Sequence, residues 1–154
     1  MNWQSTVGVA VPLSGDTDAI GESVARGAEL AAAELQDEDE TAPSLRIEDT
    51  GGDPDTAREV VEEMIDDGVP VVVGPISSDV GMAVRDLAER RGIPHLPAMC
   101  GNPDITRAGT RYTFRFSSSN RQSAEGTLRF FDSEGVDRVA VVAADFSYPH
   151  AVVR

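Results

Sequence analysis

The sequence contains no lysine and only one cysteine. Its 154 residues include 27 acidic and 13 basic residues, and every basic residue is an arginine. Without lysine the chain has no Walker A phosphate loop, no Schiff-base nucleophile and no ordinary anchor for pyridoxal phosphate. It also has no G-x-S-x-G nucleophile elbow and no G-x-G-x-x-G dinucleotide fingerprint. Because the familiar catalytic routes lack their residues, we expect a protein that is not an enzyme and that holds no cofactor.

The scarcity of thiols and imidazoles also argues against a metal site. A lone cysteine, Cys100, excludes an internal disulfide and a multi-cysteine metal cluster. His95 and His150 are the only imidazoles, which is too few to suggest zinc. A free cysteine is usually a small buried hydrophobe, and no motif places a histidine to activate Cys100 as a nucleophile. We therefore expect no metal and give catalysis by Cys100 little weight.

The charge balance excludes several partners. The formal net charge of −14 leaves no basic face for the phosphates of nucleic acid or of an anionic membrane. Carboxylates in excess without lysine are typical of proteins adapted to high salt, where screening weakens their repulsion. Equal stability in dilute buffer and in molar KCl would contradict that interpretation.

Targeting segments are not evident in the sequence. No apolar run approaches the roughly 18 residues that a membrane-spanning helix needs. Residues 1–5 lack the basic and apolar regions of a signal peptide, so we expect the chain as written to be cytoplasmic or already processed.

Strand-like and helix-like patterns alternate along the chain. Val7–Val11 predicts a buried strand, Pro12–Gly21 a loop, and the following segment a helix with one apolar stripe, formed by Val24, Ala28, Ala31 and Leu35. Asp53 followed by Pro54 predicts the start of a second helix. Later strands are predicted at Leu45–Asp49, Val69–Val73, Ile93–Leu96, Tyr112–Phe116 and Val139–Ala143, and a last helix at Ala124–Phe131. This order predicts an α/β fold with a doubly wound, three-layer sheet.

Small polar residues follow each predicted strand. They are Ser14 and Thr17, Ser77 and Ser78, Cys100 and Asn102, and Ser117–Asn120. Because the carboxyl ends of parallel strands meet at one edge of the sheet, these loops should converge there. The helix after Ser78 would direct its free N–H groups toward that edge and so favour a carboxylate. Alternatively, Ser77 or Ser78 serves only to cap that helix.

Six segments in order resemble the periplasmic binding protein type I family, in its branched-chain amino acid branch. They are VGVAVPLSGDTDAIGESVARGAELAAAEL, DTGGDPDTAREVVEEMI, VVVGPISSDVGMAV, IPHLPAMCGNPDIT, YTFRFSSSNRQSAEGTLRF and VDRVAVVAADFSYP. The resemblance implies an extracytoplasmic receptor that delivers amino acids or related small polar molecules to the permease of an ABC importer. It also implies two α/β lobes that close on the ligand by hinge motion.

The resemblance also implies roles for single residues. Ser78 matches a serine that holds the ligand carboxylate, and Met99–Gly101, with Cys100 at its centre, matches a loop that binds the ammonium and carboxylate. Asn120 matches a position that is often acidic, Tyr148 an aromatic residue that closes over the ligand, and Ile20 an aromatic wall. Gly101 stands where the family has threonine, although its N–H remains. These departures leave an amide, a urea-like molecule or another carboxylate open as the ligand.

The resemblance divides the chain unequally. We expect a ligand-binding lobe over residues 5–118, and a hinge crossing with the truncated start of a second lobe over residues 119–154. The chain would then be an incomplete receptor. A cytoplasmic ligand-sensing domain built on the same lobe is the alternative function, and a doubly wound enzyme is a third and weaker one.

Overall fold

Parallel strands and helices alternate in the protein. A computed structural model describes residues 6–38, 42–106 and 109–142. The elements in chain order are β1 (Thr6–Val11), α1 (Asp18–Glu38), β2 (Ser44–Asp49), α2 (Pro54–Asp66), β3 (Val72–Val73), α3 (Ser78–Arg91), β4 (His95–Leu96), a 3-10 turn (Pro103–Thr106) and α4 (Asn120–Ser133). None of the helices within these ranges is long and apolar enough to cross a membrane.

The four strands form one parallel sheet in the order β2-β1-β3-β4. Apolar side chains of α1 pack with Val9 and Val11 on one face of the sheet, whereas those of α2 and α3 pack with Ala10 and Val72 on the other. The helices that follow β1 and β3 therefore lie on opposite faces. Two neighbouring strands whose connections diverge in this way form a topological switch point, beside which α/β proteins bind ligands. The predicted doubly wound α/β fold is confirmed.

The core is densest between β1 and helices α2 and α3. Met64, Val84 and Leu87 are buried there against Ala10. A Cβ added at Gly8 would lie 2.9 Å from the sulfur of Met64, so the small residues of β1 let α2 approach the sheet closely. The start of α2 follows the sequence expectation, since the carboxylate of Asp53 accepts hydrogen bonds from the N–H groups of Asp55 and Thr56.

Helix α1 differs from the prediction in both its start and its buried stripe. It begins at Asp18, inside the segment predicted as loop. Ala31 and Leu35 are exposed, so the predicted stripe is wrong at those two positions, whereas Val24 and Ala28 pack against the core. The buried positions are Gly21, Ala25 and Ala32. Gly21 fixes this rotation, because a Cβ there would lie 1.7 Å from the carbonyl oxygen of Pro12. No side chain other than hydrogen could occupy that contact.

Several predicted strands are shorter in the structure, and one is absent. β3 and β4 each keep only two residues, because Pro70 and Pro94 supply no N–H to the strand ladder. The segment 112–116 is reduced to a single bridge between Thr113 and His95. Residues 139–142 form no strand and are at least half exposed at their valines, while Ala143 lies outside the described residues.

The last helix is longer than its prediction. α4 begins at Asn120 rather than at Ala124, because Ser119 and Gln122 form a reciprocal capping box. The Ser119 side chain accepts from the Gln122 N–H, and the Gln122 side chain accepts from the Ser119 N–H at 2.8 Å. The helix ends at Ser133, two residues before Gly135.

His95, in the outer strand β4, has a fully buried imidazole. Its Nε2 lies 2.7 Å from the carbonyl oxygen of Gly74, while its Nδ1 is buried without a hydrogen-bond partner. The neutral ring with its proton on Nε2 satisfies this arrangement, whereas a second proton on Nδ1 would have no acceptor. Burial is the main cause that lowers the pKa of His95 from 6.5 to about 4. The Arg85 charge acts in the same direction, and the Gly74 carbonyl and the Glu89 carboxylate oppose the shift.

A matched pair of leucine variants tests the corrected phase of α1. Leu87 on α3 is 2% exposed and Leu35 on α1 is 48% exposed. We expect Leu87→Ala to lower the free energy of unfolding by about 3 kcal/mol and Leu35→Ala by less than about 1 kcal/mol, because only Leu87 leaves a cavity. Urea unfolding followed by circular dichroism measures both. Equal losses would show that α1 buries Leu35 after all.

The buried histidine predicts acid sensitivity. Its folded-state pKa lies below its unfolded value, so the unfolded chain binds the extra proton and stability falls as the pH drops from 6.5 toward 4. We expect His95 to contribute a loss of about 2 kcal/mol between pH 7 and pH 5. The His95→Gln variant, whose amide can still donate to Gly74, should show a smaller loss in the same urea titrations. An identical pH dependence in the two proteins would contradict the prediction.

Candidate functional site

The loops that leave the strands lie at the carboxyl edge of the sheet. They are residues 12–17 after β1, residues 74–77 after β3, and residues 97–102 after β4. The switch point between β1 and β3 lies at this edge, so the first two loops border the crevice where α/β folds bind ligands. A Cβ at Gly74, whose φ is +100°, would lie 2.1 Å from the carbonyl oxygen of Ala10. Glycine therefore allows the two neighbouring strands to approach closely where the crevice begins.

Asp49 holds the β1 loop in place. Its carboxylate accepts hydrogen bonds from the N–H of Leu13 at 2.7 Å and from the N–H of Gly51 at 2.8 Å. The Ser14 hydroxyl also donates to it, and this bond is the largest of the effects that lower the pKa of Asp49. Ser14, a predicted ligand contact, thus has a partner inside the protein. Asp49 was missed, although an aspartate between a strand and a T-G-G turn was a signal that could have found it.

The start of α3 presents unsatisfied backbone donors. Ser77 is the N-cap residue of α3, one of the two positions predicted, but its side chain makes no capping hydrogen bond. The first intrahelical bond runs from the Gly81 N–H to the Ser77 carbonyl. The three preceding amides, Ser78 to Val80, have no acceptor within the helix, and they carry the positive end of its dipole.

Ser78 lies between α3 and the β4 loop. It is buried, and its hydroxyl oxygen accepts a hydrogen bond from the N–H of Asn102 at 3.2 Å. With that lone pair used, the hydroxyl proton remains to be donated to another group. The structure therefore brings Ser78 beside the Met99–Gly101 stretch, as the sequence predicted.

Cys100 fastens the β4 loop to the β3 loop. Its thiol donates to the carbonyl oxygens of Ser77 at 3.0 Å and of Pro75 at 3.3 Å. A Cβ at Gly81 would lie 2.6 Å from its sulfur, so α3 packs directly on it. Burial raises the pKa of the Cys100 thiol to about 12, with the nearby Arg115 charge opposing the shift. The thiolate needed for nucleophilic chemistry is thus scarce at neutral pH, and the side chain faces the protein interior.

Arg115 is a residue that the sequence reasoning missed. Its Nη2 donates to the carbonyl oxygen of Asn102 at 2.6 Å, its Nη1 donates to the carbonyl of Cys100, and its Nε lies 3.3 Å from the Thr106 hydroxyl. Burial lowers the pKa of this half-buried guanidinium. The only signal in the sequence was the alternation in YTFRF, where Thr113 and Arg115 share the inward face.

Asn120 and Gly101 are joined through the backbone. The N–H of Asn120, the first residue of α4, donates to the Gly101 carbonyl at 2.7 Å, and both residues are buried. Ile20, in the first turn of α1, and Met99 are 45% and 56% exposed, and Ser77 is exposed as well. Tyr148 lies outside the described residues. Of the predicted residues, the structure brings together Ser77, Ser78, Cys100, Gly101 and Asn120.

This arrangement offers hydrogen-bond donors to an anionic ligand. The donors at hand are the first-turn amides of α3, the Ser78 hydroxyl and the neighbouring backbone of the β4 loop, and such groups bind a carboxylate. In the part of the chain that the structure describes, no group of three histidine, cysteine, aspartate or glutamate side chains could hold a metal ion.

Comparison with known proteins connects this geometry to one family. The family profile described as "Periplasmic binding protein" matches residues 4–154. The chain is 28% identical over 141 residues to the Leu/Ile/Val-binding protein BraC3 of Rhizobium johnstonii, covering 89% of this chain and 38% of that relative.

Solved structures give the same fold. A solute-binding protein of an ABC transporter from Rhodopseudomonas palustris, in complex with 3,4-dihydroxybenzoic acid, superposes with a TM-score of 0.86 at 22% identity. An ABC transporter substrate-binding protein from Desulfitobacterium hafniense, in complex with Leu, gives 0.84 at 22% identity. Each of the two structures covers 97% of this chain. This chain covers 41% of the Rhodopseudomonas protein and 44% of the Desulfitobacterium protein. The chain spans about two fifths of the length of these relatives. It belongs to the type I periplasmic binding protein family.

Proposed function

We propose that this chain forms the first ligand-binding lobe of a solute-binding receptor that serves an ABC importer. The observation that carries the proposal is the contact between the open N-terminus of α3 and the β4 loop, where the Ser78 hydroxyl accepts from Asn102 and keeps its own proton to donate. The relatives are named as Leu/Ile/Val-binding proteins, and this site offers the donors that the carboxylate of such a ligand requires.

The proposed receptor has more than one lobe. We assign residues 5–118 to the first lobe and residues 119–154 to a hinge crossing and the start of the second. That the relatives are longer supports a receptor with more than this lobe, since the chain covers only 38% of its Rhizobium relative and 44% of the Desulfitobacterium structure. The receptor would close its lobes on the ligand, present the closed form to a permease, and work outside the cytoplasm.

The ligand is proposed to be a small carboxylate. Two proteins of the same fold were solved with Leu and with 3,4-dihydroxybenzoic acid, which share a carboxylate but differ in the ammonium group. Asn120, in the hinge segment, is neutral at a position where the family resemblance suggests an acid, so it adds no charge for an ammonium there. L-leucine is the first ligand to test because the relatives are named as Leu/Ile/Val-binding proteins, and the aromatic acid, which has no ammonium, is its comparison.

Paired serine variants test the carboxylate site. In the protein as its gene encodes it, Ser78→Ala should weaken binding of L-leucine by about 1–3 kcal/mol, because the carboxylate loses a hydroxyl donor. Ser77→Ala, which removes an exposed hydroxyl that caps nothing, should bind as the wild type does. Isothermal titration calorimetry measures both affinities.

Two results would count against the proposal. Unchanged affinity in Ser78→Ala would remove this hydroxyl from the site. Failure of the wild type to bind L-leucine, the aromatic acid or a panel of small carboxylates and amides would remove the receptor function itself.

A further inference from the structure

Arg115 contacts the main chain of the β4 loop at the point where the proposed ligand would bind. We propose that Arg115 is a positioning residue, which fixes the peptide between Cys100 and Gly101 so that the Gly101 N–H is directed at the ligand carboxylate. The inference rests on the proposed function and adds to it, because the expected threonine is missing at Gly101 and its backbone donor must serve instead.

The planarity of the peptide bond carries this argument. In a trans peptide the carbonyl of one residue and the N–H of the next point in opposite directions. Arg115 binds the carbonyl of Cys100, so the N–H of Gly101 points away from the guanidinium. The only cis peptide among the described residues is Gly74–Pro75, so this relation holds at Gly101.

The next peptide along the chain shows the same relation directly. The Gly101 carbonyl accepts the N–H of Asn120 at 2.7 Å, and the N–H of Asn102 on that same peptide donates to Ser78 at 3.2 Å. One end of this peptide is thus held by α4 and its other end reaches the proposed ligand contact. Arg115 holds the preceding peptide from its carbonyl end in the same manner.

The chemistry of arginine fits the task better than that of lysine. Its planar guanidinium donates to two carbonyls, those of Cys100 and Asn102, and its Nε lies near the Thr106 hydroxyl. One side chain therefore binds the main chain on both sides of Gly101. The hydrogen bonds that it makes within the described residues all go to neutral oxygens. A cation on the Cys100 carbonyl also polarises the peptide and strengthens the Gly101 N–H as a donor.

The chain offers a matched control in Arg85. Its Nη1 donates to the carbonyl of Asp104 at 2.8 Å, in the same segment but beyond Gly101, and its other contacts go to the Asp86 carboxylate. Arg85→Met therefore removes an arginine-to-carbonyl bond from this segment without releasing the Cys100 peptide. A general loss of stability would affect both variants, and a positioning role only one.

Hydrogen exchange tests the positioning without any ligand. In the protein as its gene encodes it, Arg115→Met should speed amide exchange at residues 100–102 at least tenfold relative to the core amides of α2, whereas Arg85→Met, which releases only the Asp104 carbonyl, should not. Arg115→Lys, which keeps the charge and one donor, should fall between them and provides a folded protein if the methionine variant unfolds. Unchanged relative exchange at residues 100–102 in both Arg115 variants would overturn the proposal.

Binding of L-leucine tests the consequence for the ligand. Arg115→Met should weaken binding about tenfold to a hundredfold, by analogy with the loss of an outer hydrogen-bonding partner of a metal ligand. Combining it with Ser78→Ala should weaken binding by less than the product of the two single effects, since both act on one carboxylate. Equal losses in Arg85→Met and Arg115→Met would overturn the proposal. If the wild type binds no probe, the proposed function fails while the exchange result still decides the role of Arg115.

Discussion

The carboxyl edge of the sheet depends on side chains that bind the main chain of neighbouring loops. Backbone N–H and C=O groups in loops require partners when they are withdrawn from water. Here the Asp49 carboxylate accepts from the N–H of Leu13 in the β1 loop and from the N–H of Gly51, which follows β2. The Cys100 thiol donates to carbonyls of the β3 loop. Ser78 and Arg115 then hold the β4 loop from its two sides. These cross-links, more than the strands themselves, set the shape of the proposed site, because β3 and β4 are only two residues long.

These hydrogen bonds between loops have a functional consequence for a receptor that closes on its ligand. Affinity falls when binding must first order mobile groups, and preordered loops avoid that loss. Cys100 illustrates the point, because its buried thiol donates to two carbonyl groups of the protein, those of Pro75 and Ser77. A cysteine in a predicted site is thus best explained here as a structural hydrogen-bond donor. The motion that a binding protein needs would then lie between lobes rather than within this edge.

The sequence predicted the parts of the fold that follow from local patterns. β1, β2 and the Asp53–Pro54 helix start depend on apolar runs and capping residues, which act within a few positions of the chain. The phase of α1 was predicted wrongly because it is fixed at Gly21 by a contact with Pro12, and apolar spacing alone does not contain that contact. Arg115 and Asp49 were missed for a related reason. Most of their partners are main-chain atoms: Arg115 reaches the carbonyls of Asn102 and Cys100, 13 and 15 residues away, and Asp49 reaches the N–H of Leu13, 36 residues away. A main-chain partner leaves no residue type in the sequence to recognise.

The most direct test of the account is an NMR titration of the protein, as its gene encodes it, with L-leucine and then with 3,4-dihydroxybenzoic acid. The account predicts saturable shifts in the amide signals of Ser78, Asp79 and Gly101, the donors that face the edge of the sheet. Saturable shifts that leave these three amides unchanged and cluster on the outer face of α1 or on α4 would contradict it.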